Sequence, residues 1–217
     1  MDAPEFAAAF RKLHFLKLEC NTTSNNADTL KYSLKNHFNT AVIDIIGSLD
    51  ENANSIELEA LDSSKNSKGS KLFRVTIKKD VDLLEYDTQC DLMSMTGQLI
   101  SSITMKDMGL STYNYNVLNS AGAALFQVSK KQIQPGHNEF QITTVTGCVT
   151  ARIDIHNGKV LLSMTPELDP FSKVTFVCLM MLMDLAENQQ NEPQPSKIES
   201  ASAMDTRKFY TNQKLIA

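Results

Sequence analysis

The chain lacks several features that would point at once to a function. Its four cysteines, Cys20, Cys90, Cys148 and Cys178, include no C-x-x-C pair, so neither a zinc ribbon nor a thioredoxin-type redox motif is encoded. It has no basic surplus: 21 Lys and Arg stand against 25 Asp and Glu, a formal charge of −4. Gripping bulk nucleic acid requires such a surplus to neutralise phosphates, so nucleic acid is not an expected partner. Eight Gly and six Pro are too few for a collagen-like or elastic sequence. No apolar run approaches the roughly 20 residues of a membrane-spanning helix, so no transmembrane span is expected. The G-x-S-x-G elbow, the Walker A loop and the G-x-G-x-x-G fingerprint are all missing. The first residues, MDAPEFAAAFRKLHF, begin acidic and do not read as a secretory signal. The expected compartment is therefore reducing, cytosolic or nuclear, with free thiols.

What is present is an ordinary globular balance. Of 217 residues, 42% are hydrophobic and 21% charged, enough for one large domain or two small ones around a core. Residues 1 to about 38 are mixed, with a loop-like Ser/Asn/Thr cluster at Asn21 to Asn26. From about Asn39 to Glu187 the apolar pattern is nearly unbroken. Residues 189–217 are polar and Pro-containing, and read as a disordered or loosely attached tail; its Phe209, Tyr210, Leu215 and Ile216 leave docking open.

Strand signals dominate the middle. SIELEAL, KLFRVTIKK, GQLISSITM, STYNYNVL, AALFQVSKK, EFQITTV, CVTARIDIH and GKVLLSM are each of strand length, and most are rich in β-branched or aromatic residues. In RVTIK, Val75 and Ile77 alternate with Arg74, Thr76 and Lys78, and ARIDIH behaves alike, which predicts antiparallel sheet with one wet face. Gly69, Gly97, Gly122 and Gly147 fall 28, 25 and 25 residues apart, each before an apolar run. That period is one hairpin, too short for a propeller blade of about 40–45 residues. Asn157-Gly158 predicts a further two-residue turn. A long meander must close or be covered, because open edges aggregate.

One segment breaks the rhythm. After TPELDP, the stretch FSKVTFVCLMMLMDLAE reads as a helix over about 172–187, with Ser172 as a plausible N-cap. Its apolar residues cover the whole circumference, so it must be buried on all sides or lie in lipid. The apolar run Val174 to Met183 is only ten residues, which favours burial in protein. Met180, Met181 and Met183 suit an irregular interior. The expected fold is a mainly-β, antiparallel closed barrel enclosing a hydrophobic C-terminal helix.

Two segments carry a family resemblance: the strand-turn-strand unit STYNYNVLNSAGAALFQVSKK and the stretch TPELDPFSKVTFVCLMMLMDLAE. Together they resemble the tubby C-terminal-like superfamily, which includes tubby domains, LURP-one-related proteins and phospholipid scramblases, with the LURP-one-related branch nearer. The resemblance implies a twelve-stranded barrel around that helix, over residues 10–188.

Chemistry is harder to find. The four histidines, His14, His37, His137 and His156, show no metal-ligand spacing, and His137 and His156 read as exposed loop residues. Neither a metal nor a cofactor is expected. Asp154 reads as a surface partner of Arg152. The acidic turn Glu167-Leu168-Asp169 raises the thought of calcium, but helix capping explains it better. Basic residues give the one lead. Lys71, Arg74, Lys78 and Lys79 lie on or just after one strand, Lys130 and Lys131 end another, and Arg152 and Lys159 belong to a third hairpin. Converging, they would attract an anionic phosphoinositide headgroup, as the resemblance also implies; dispersed, they would only guard strand edges. Four functions stay open: a peripheral membrane adaptor, a protein-interaction scaffold, a membrane-embedded activity using the apolar helix, and, last, an enzyme. A non-enzymatic binding module is the expectation.

Overall fold

The computed structural model describes residues 5–20, 29–50, 55–63, 69–79, 88–108 and 113–190. The expected loop at Asn21 to Asn26 and all but the first residues of the expected tail lie outside them. A short helix α1 (Glu5–Phe10) precedes twelve strands: β1 (Phe15–Cys20), β2 (Thr29–Lys35), β3 (Ala41–Asp50), β4 (Ser55–Asp62), β5 (Lys71–Lys79), β6 (Thr88–Ser94), β7 (Leu99–Asp107), β8 (Tyr113–Asn119), β9 (Ala124–Gln134), β10 (His137–Thr144), β11 (Val149–His156) and β12 (Lys159–Met164). Helix α2 (Pro170–Gln190) follows. Each strand pairs antiparallel with its sequence neighbours, and β1 pairs with β12 to close the barrel. The eight strands read from sequence are all present. The four that were not read are β1, β2, β3 and β6.

The glycine period is a repeated turn. At the end of the barrel where α2 enters, called the near end, five hairpins close alike. Their first residues are Asn36, Asp62, Ser94, Asn119 and Thr144, and the last of each turn are Thr40, Ser70, Gln98, Ala123 and Cys148. In each, the first residue's N–H donates to the last residue's carbonyl, and the residue before the last donates back to the first. That penultimate residue is Asn39, Gly69, Gly97, Gly122 or Gly147, with φ between 61° and 87°. Left-handed backbone strains most side chains but suits Gly and tolerates Asn, so the first repeat was hidden behind an asparagine. Side-chain oxygens of Asn36, Ser94, Asn119 and Thr144 accept further turn N–H groups. Directly after each turn the ladder skips one residue: Val42, Leu72, Ile100, Leu125 and Thr150. Such bulges bend a strand and raise its twist, which curls a meander into a ring.

Helix α2 fills that ring. Twenty-one residues at about 1.5 Å each give roughly 31 Å, enough to run through the barrel. Val174 and every residue from Phe176 to Met183 are buried, which is what an all-round apolar helix requires. The helix starts two residues earlier than expected. Asp169, not Ser172, is its cap: Asp169 Oδ1 accepts from the Ser172 N–H at 3.0 Å and Oδ2 from the Ser172 hydroxyl at 2.6 Å. Pro170 then takes the first helical position, where its missing N–H costs nothing. A polar tie joins wall to helix across the lumen, between the Ser101 and Thr175 hydroxyls at 2.8 Å. Thr175 donates to the Phe171 carbonyl, so Ser101 donates to Thr175.

Gly47 shows how tightly the wall is drawn. A β-carbon there would meet Leu58 Cδ2 at 2.4 Å and Leu30 Cβ at 3.0 Å. Leu58 can rotate, but Leu30 Cβ moves only with its backbone. Gly47→Ala is expected to cost about 1–3 kcal/mol through overpacking. Urea unfolding checks this: an unchanged midpoint would mean that β2 and β4 yield freely at this point.

Candidate functional site

The lumen is occupied by the protein's own side chains, so binding surfaces have to be sought outside or at the ends. Inside, Cys90 and Cys178 face a low-dielectric core, and burial pushes both thiols well above their usual pKa. They are held as protonated thiols, poor nucleophiles and poor metal ligands.

The eight basic residues do not converge. β5 is separated from β9 by three strands and lies opposite β11 in the ring. On β5 the charges are already answered: Lys71 Nζ is 2.8 Å and Arg74 Nε 4.0 Å from Glu59, and Lys78 Nζ is 3.8 Å from Asp91. Lys79 ends β5, and its side chain lies outside the described part of the structure. Consecutive strand residues face opposite ways, so Lys130 and Lys131 part company. Lys130 pairs with inward-facing Phe140 and sets its ammonium 5.5 Å from that ring's centroid. Lys131 pairs with Glu139 on the outer face. Arg152 and Lys159 also lie on the outer face. Among the described residues Lys131, Arg152 and Lys159 form no ion pair. The expected Arg152–Asp154 pair is absent; Asp154 instead lies 3.5 Å from His137 Nε2.

Register sets these residues in rows across the far end of β9 to β12. One row runs His137, His156, Lys159; the next runs Lys131, Glu139, Asp154, Leu161. The two histidines are therefore strand residues, directly opposite each other with ring centroids 4.8 Å apart. Treating them as loop residues missed this. The signal was only partial: counting across the Thr144–Cys148 turn puts 137 against 155, and the bulge at Thr150 moves its partner to 156. The turns Pro135-Gly136 and Asn157-Gly158 fix their backbones at the far end.

At the near end, sequence reading missed a buried lysine. Lys173, in the first turn of α2, is 0% exposed. Its Nζ donates to the Arg11 carbonyl at 3.0 Å and the Pro166 carbonyl at 3.5 Å, and lies 3.3 Å from His14 Nδ1. An ammonium has three donors and no acceptor, so this set satisfies it and makes His14 Nδ1 the acceptor. Burial pushes the Lys173 pKa below 10.5, with Asp169 and Glu167 opposing that shift. The effect is to clasp α1, whose Phe10 packs against Phe73 with centroids 6.0 Å apart, over the near mouth. Around it stand exposed apolar side chains: Phe38 (76%), Val145 (60%) and Phe171 (43%).

No helix among the described residues is long and apolar enough to cross a membrane. No protein-family model, curated protein or solved structure matches the chain.

Proposed function

We propose that this chain is a tubby-like, non-enzymatic binding module that works from the outside of a filled barrel. The observation that carries the reading is α2 itself: its side chains take up the lumen, which leaves the wall and the two ends to meet a partner. The strand number and the enclosed C-terminal helix are also what the tubby-like resemblance implies.

The ligand of first choice is an anionic phosphoinositide headgroup. Lys131, Arg152 and Lys159 are exposed, share the outer face of β9 to β12 and are not spent on ion pairs. Each such charge contributes about 1 kcal/mol near an anionic surface, which for three amounts to roughly a hundredfold in affinity. Glu139 and Asp154 lie among them and offset part of that gain. Binding is thus expected to need a multiply charged headgroup and low salt. Vesicle co-sedimentation at two salt concentrations tests it. The triple variant Lys131→Glu, Arg152→Glu, Lys159→Glu should release the protein from phosphoinositide vesicles. Undiminished association of that variant, or no association of the wild type at low salt, would refute the lipid reading. The second reading is a protein partner, favoured by the exposed Phe38, Val145 and Phe171 around the near mouth. A complex that survives high salt and is lost with Phe38→Ser and Phe171→Ser would identify that face.

A further inference from the structure

We propose that Cys90 and Cys178 form a redox latch inside the barrel: oxidation joins them in a disulfide that ties α2 to β6. This goes beyond the lipid and partner readings and depends on neither. The two cysteines are eighty-eight residues apart in the chain, with no motif to connect them. The fold brings them together, as free thiols that are each only 1% exposed.

Two contacts fix how α2 is turned within the ring. Thr175 meets Ser101 of β7, and Phe176 meets Phe126 of β9. Each helical residue adds about 100° of rotation, so one step on from Thr175 turns toward β8 and β9. Cys178, three steps on, comes round about 60° short of Thr175 and so faces the other way, toward β6. It also lies about 4.5 Å deeper in the barrel than Thr175. On the wall, Leu92 of β6 pairs with Ser101, and Cys90 pairs with Ile103, two residues deeper. Two residues of a strand tilted by about 40° descend about 5 Å. Strand β6 and helix α2 therefore present their cysteines at one depth and on facing sides. The electrostatics agree: burial is the main cause of the raised Cys178 pKa, and neighbouring Cys90 is the next.

The backbones run close together. Helix α2 brings Cα atoms within 8 Å of Cα atoms of β6, and a disulfide spans about 4.4–6.8 Å. A small shift of the helix toward the wall closes the difference. Buried Met180, Met181 and Met183, unbranched and adaptable, can repack around that shift. In the closed barrel the thiols are protonated and shielded from oxidants. The reaction therefore belongs to molecules in which α2 has come away from the wall. Its oxidant is a small disulfide such as oxidised glutathione. One cysteine thiolate attacks that disulfide and expels a glutathione thiolate. As α2 returns, the second cysteine thiolate attacks the protein-bound sulfur and expels the other glutathione. One S–S bond breaks and one forms; the cysteines give up two electrons and two protons, and glutathione leaves as two thiols. Oxidised, the helix is held in the lumen by a covalent bond; reduced, it is held by packing and hydrogen bonds.

The test uses the whole protein, held near its urea midpoint with oxidised glutathione, returned to buffer, alkylated in denaturant and digested. Mass spectrometry should find a peptide pair joined through Cys90 and Cys178. The double variant Cys20→Ser, Cys148→Ser keeps only the buried pair and should form the same bond. Its oxidised form should melt roughly 4–16 °C above its reduced form, because closing so long a loop constrains the unfolded chain. Adding Cys90→Ser to that variant should abolish the shift. Absence of the joined pair overturns the proposal, as do joining to Cys20 or Cys148 instead and an oxidised midpoint at or below the reduced one.

Discussion

Replacing Phe176 with alanine should lower the thermal midpoint by roughly 6–20 °C. Phe176 is fully buried in α2 and meets Phe126 of β9 edge to face, with ring centroids 4.7 Å apart. The cost of such a truncation depends on how well the surroundings collapse into the space. Here they are poorly placed to do so. The wall is a ring hydrogen-bonded through every strand pair, and α2 is packed by side chains on all sides. The loss should therefore sit in the usual large range, about 3–5 kcal/mol. For a domain of this size each kcal/mol moves the midpoint by about 2–4 °C. A melt followed by circular dichroism measures it, with Phe171→Ala as the control. Phe171 lies five residues earlier in α2 and is half in water, and its truncation should stay near about 0.5 kcal/mol. Equal, small shifts for both would mean that α2 is not enclosed.

The second large effect concerns Lys173. Lys173→Ala should cost about 3–5 kcal/mol, the range for breaking a buried charged contact by removing one partner. It strips the donor from the Arg11 and Pro166 carbonyls and opens a hole beneath α1. Lys173→Met keeps the apolar stem and gives up only the polar head, so it should lose less. The pH dependence separates the two contributions. Burial holds the folded-state pKa below 10.5, so from that lowered value up to 10.5 the unfolded chain binds more protons than the folded one. Stability from this group is thus flat below the folded pKa and rises with pH up to the unfolded value. The advantage of wild type over Lys173→Met should widen between neutral pH and pH 10. A gap that stays constant across that range would place the ammonium in water, and a narrowing gap would reverse the sign.

How much of this was legible depended on whether a residue's role is local. β5 was read to the residue because KLFRVTIKK alternates cleanly and is bounded by turn formers. α2 was legible because an all-round apolar run too short to span a bilayer calls for burial within protein. β6, TQCDLMS, was passed over because its outward positions are polar enough to dilute the pattern, though Cys90 and Leu92 are buried. β2 was hidden the same way, by the lysines of TLKYSLK. Asp169 and Ser172 both suit a helix start, and only geometry shows which oxygens meet which N–H. The sites were harder. Lys173 sits between a serine and a valine, and nothing in S-K-V announces that its partners are Arg11 and His14, some 160 residues earlier. The basic residues could be named from the sequence but not placed relative to one another, because a ring of twelve strands carries β5 and β11 to opposite sides.

The enclosed helix also sets an order of events during synthesis. Every wall strand leaves the ribosome before α2 does, since residues 15–164 precede residues 170–190. Neighbouring hairpins can pair as they emerge, because each partner is next in the chain. Their inward side chains, Leu34, Ile43, Leu58, Val75 and the rest, have no filling until the last element arrives. Among the described strands, the one pairing between distant parts of the chain is β1 with β12, where Phe15 meets Ser163. A ring sealed early would shut out its own core. The nascent protein thus passes through a stage as an open, greasy sheet, and its exposure to chaperones and to aggregation is concentrated there, before the final helix is laid in and the seam is drawn shut.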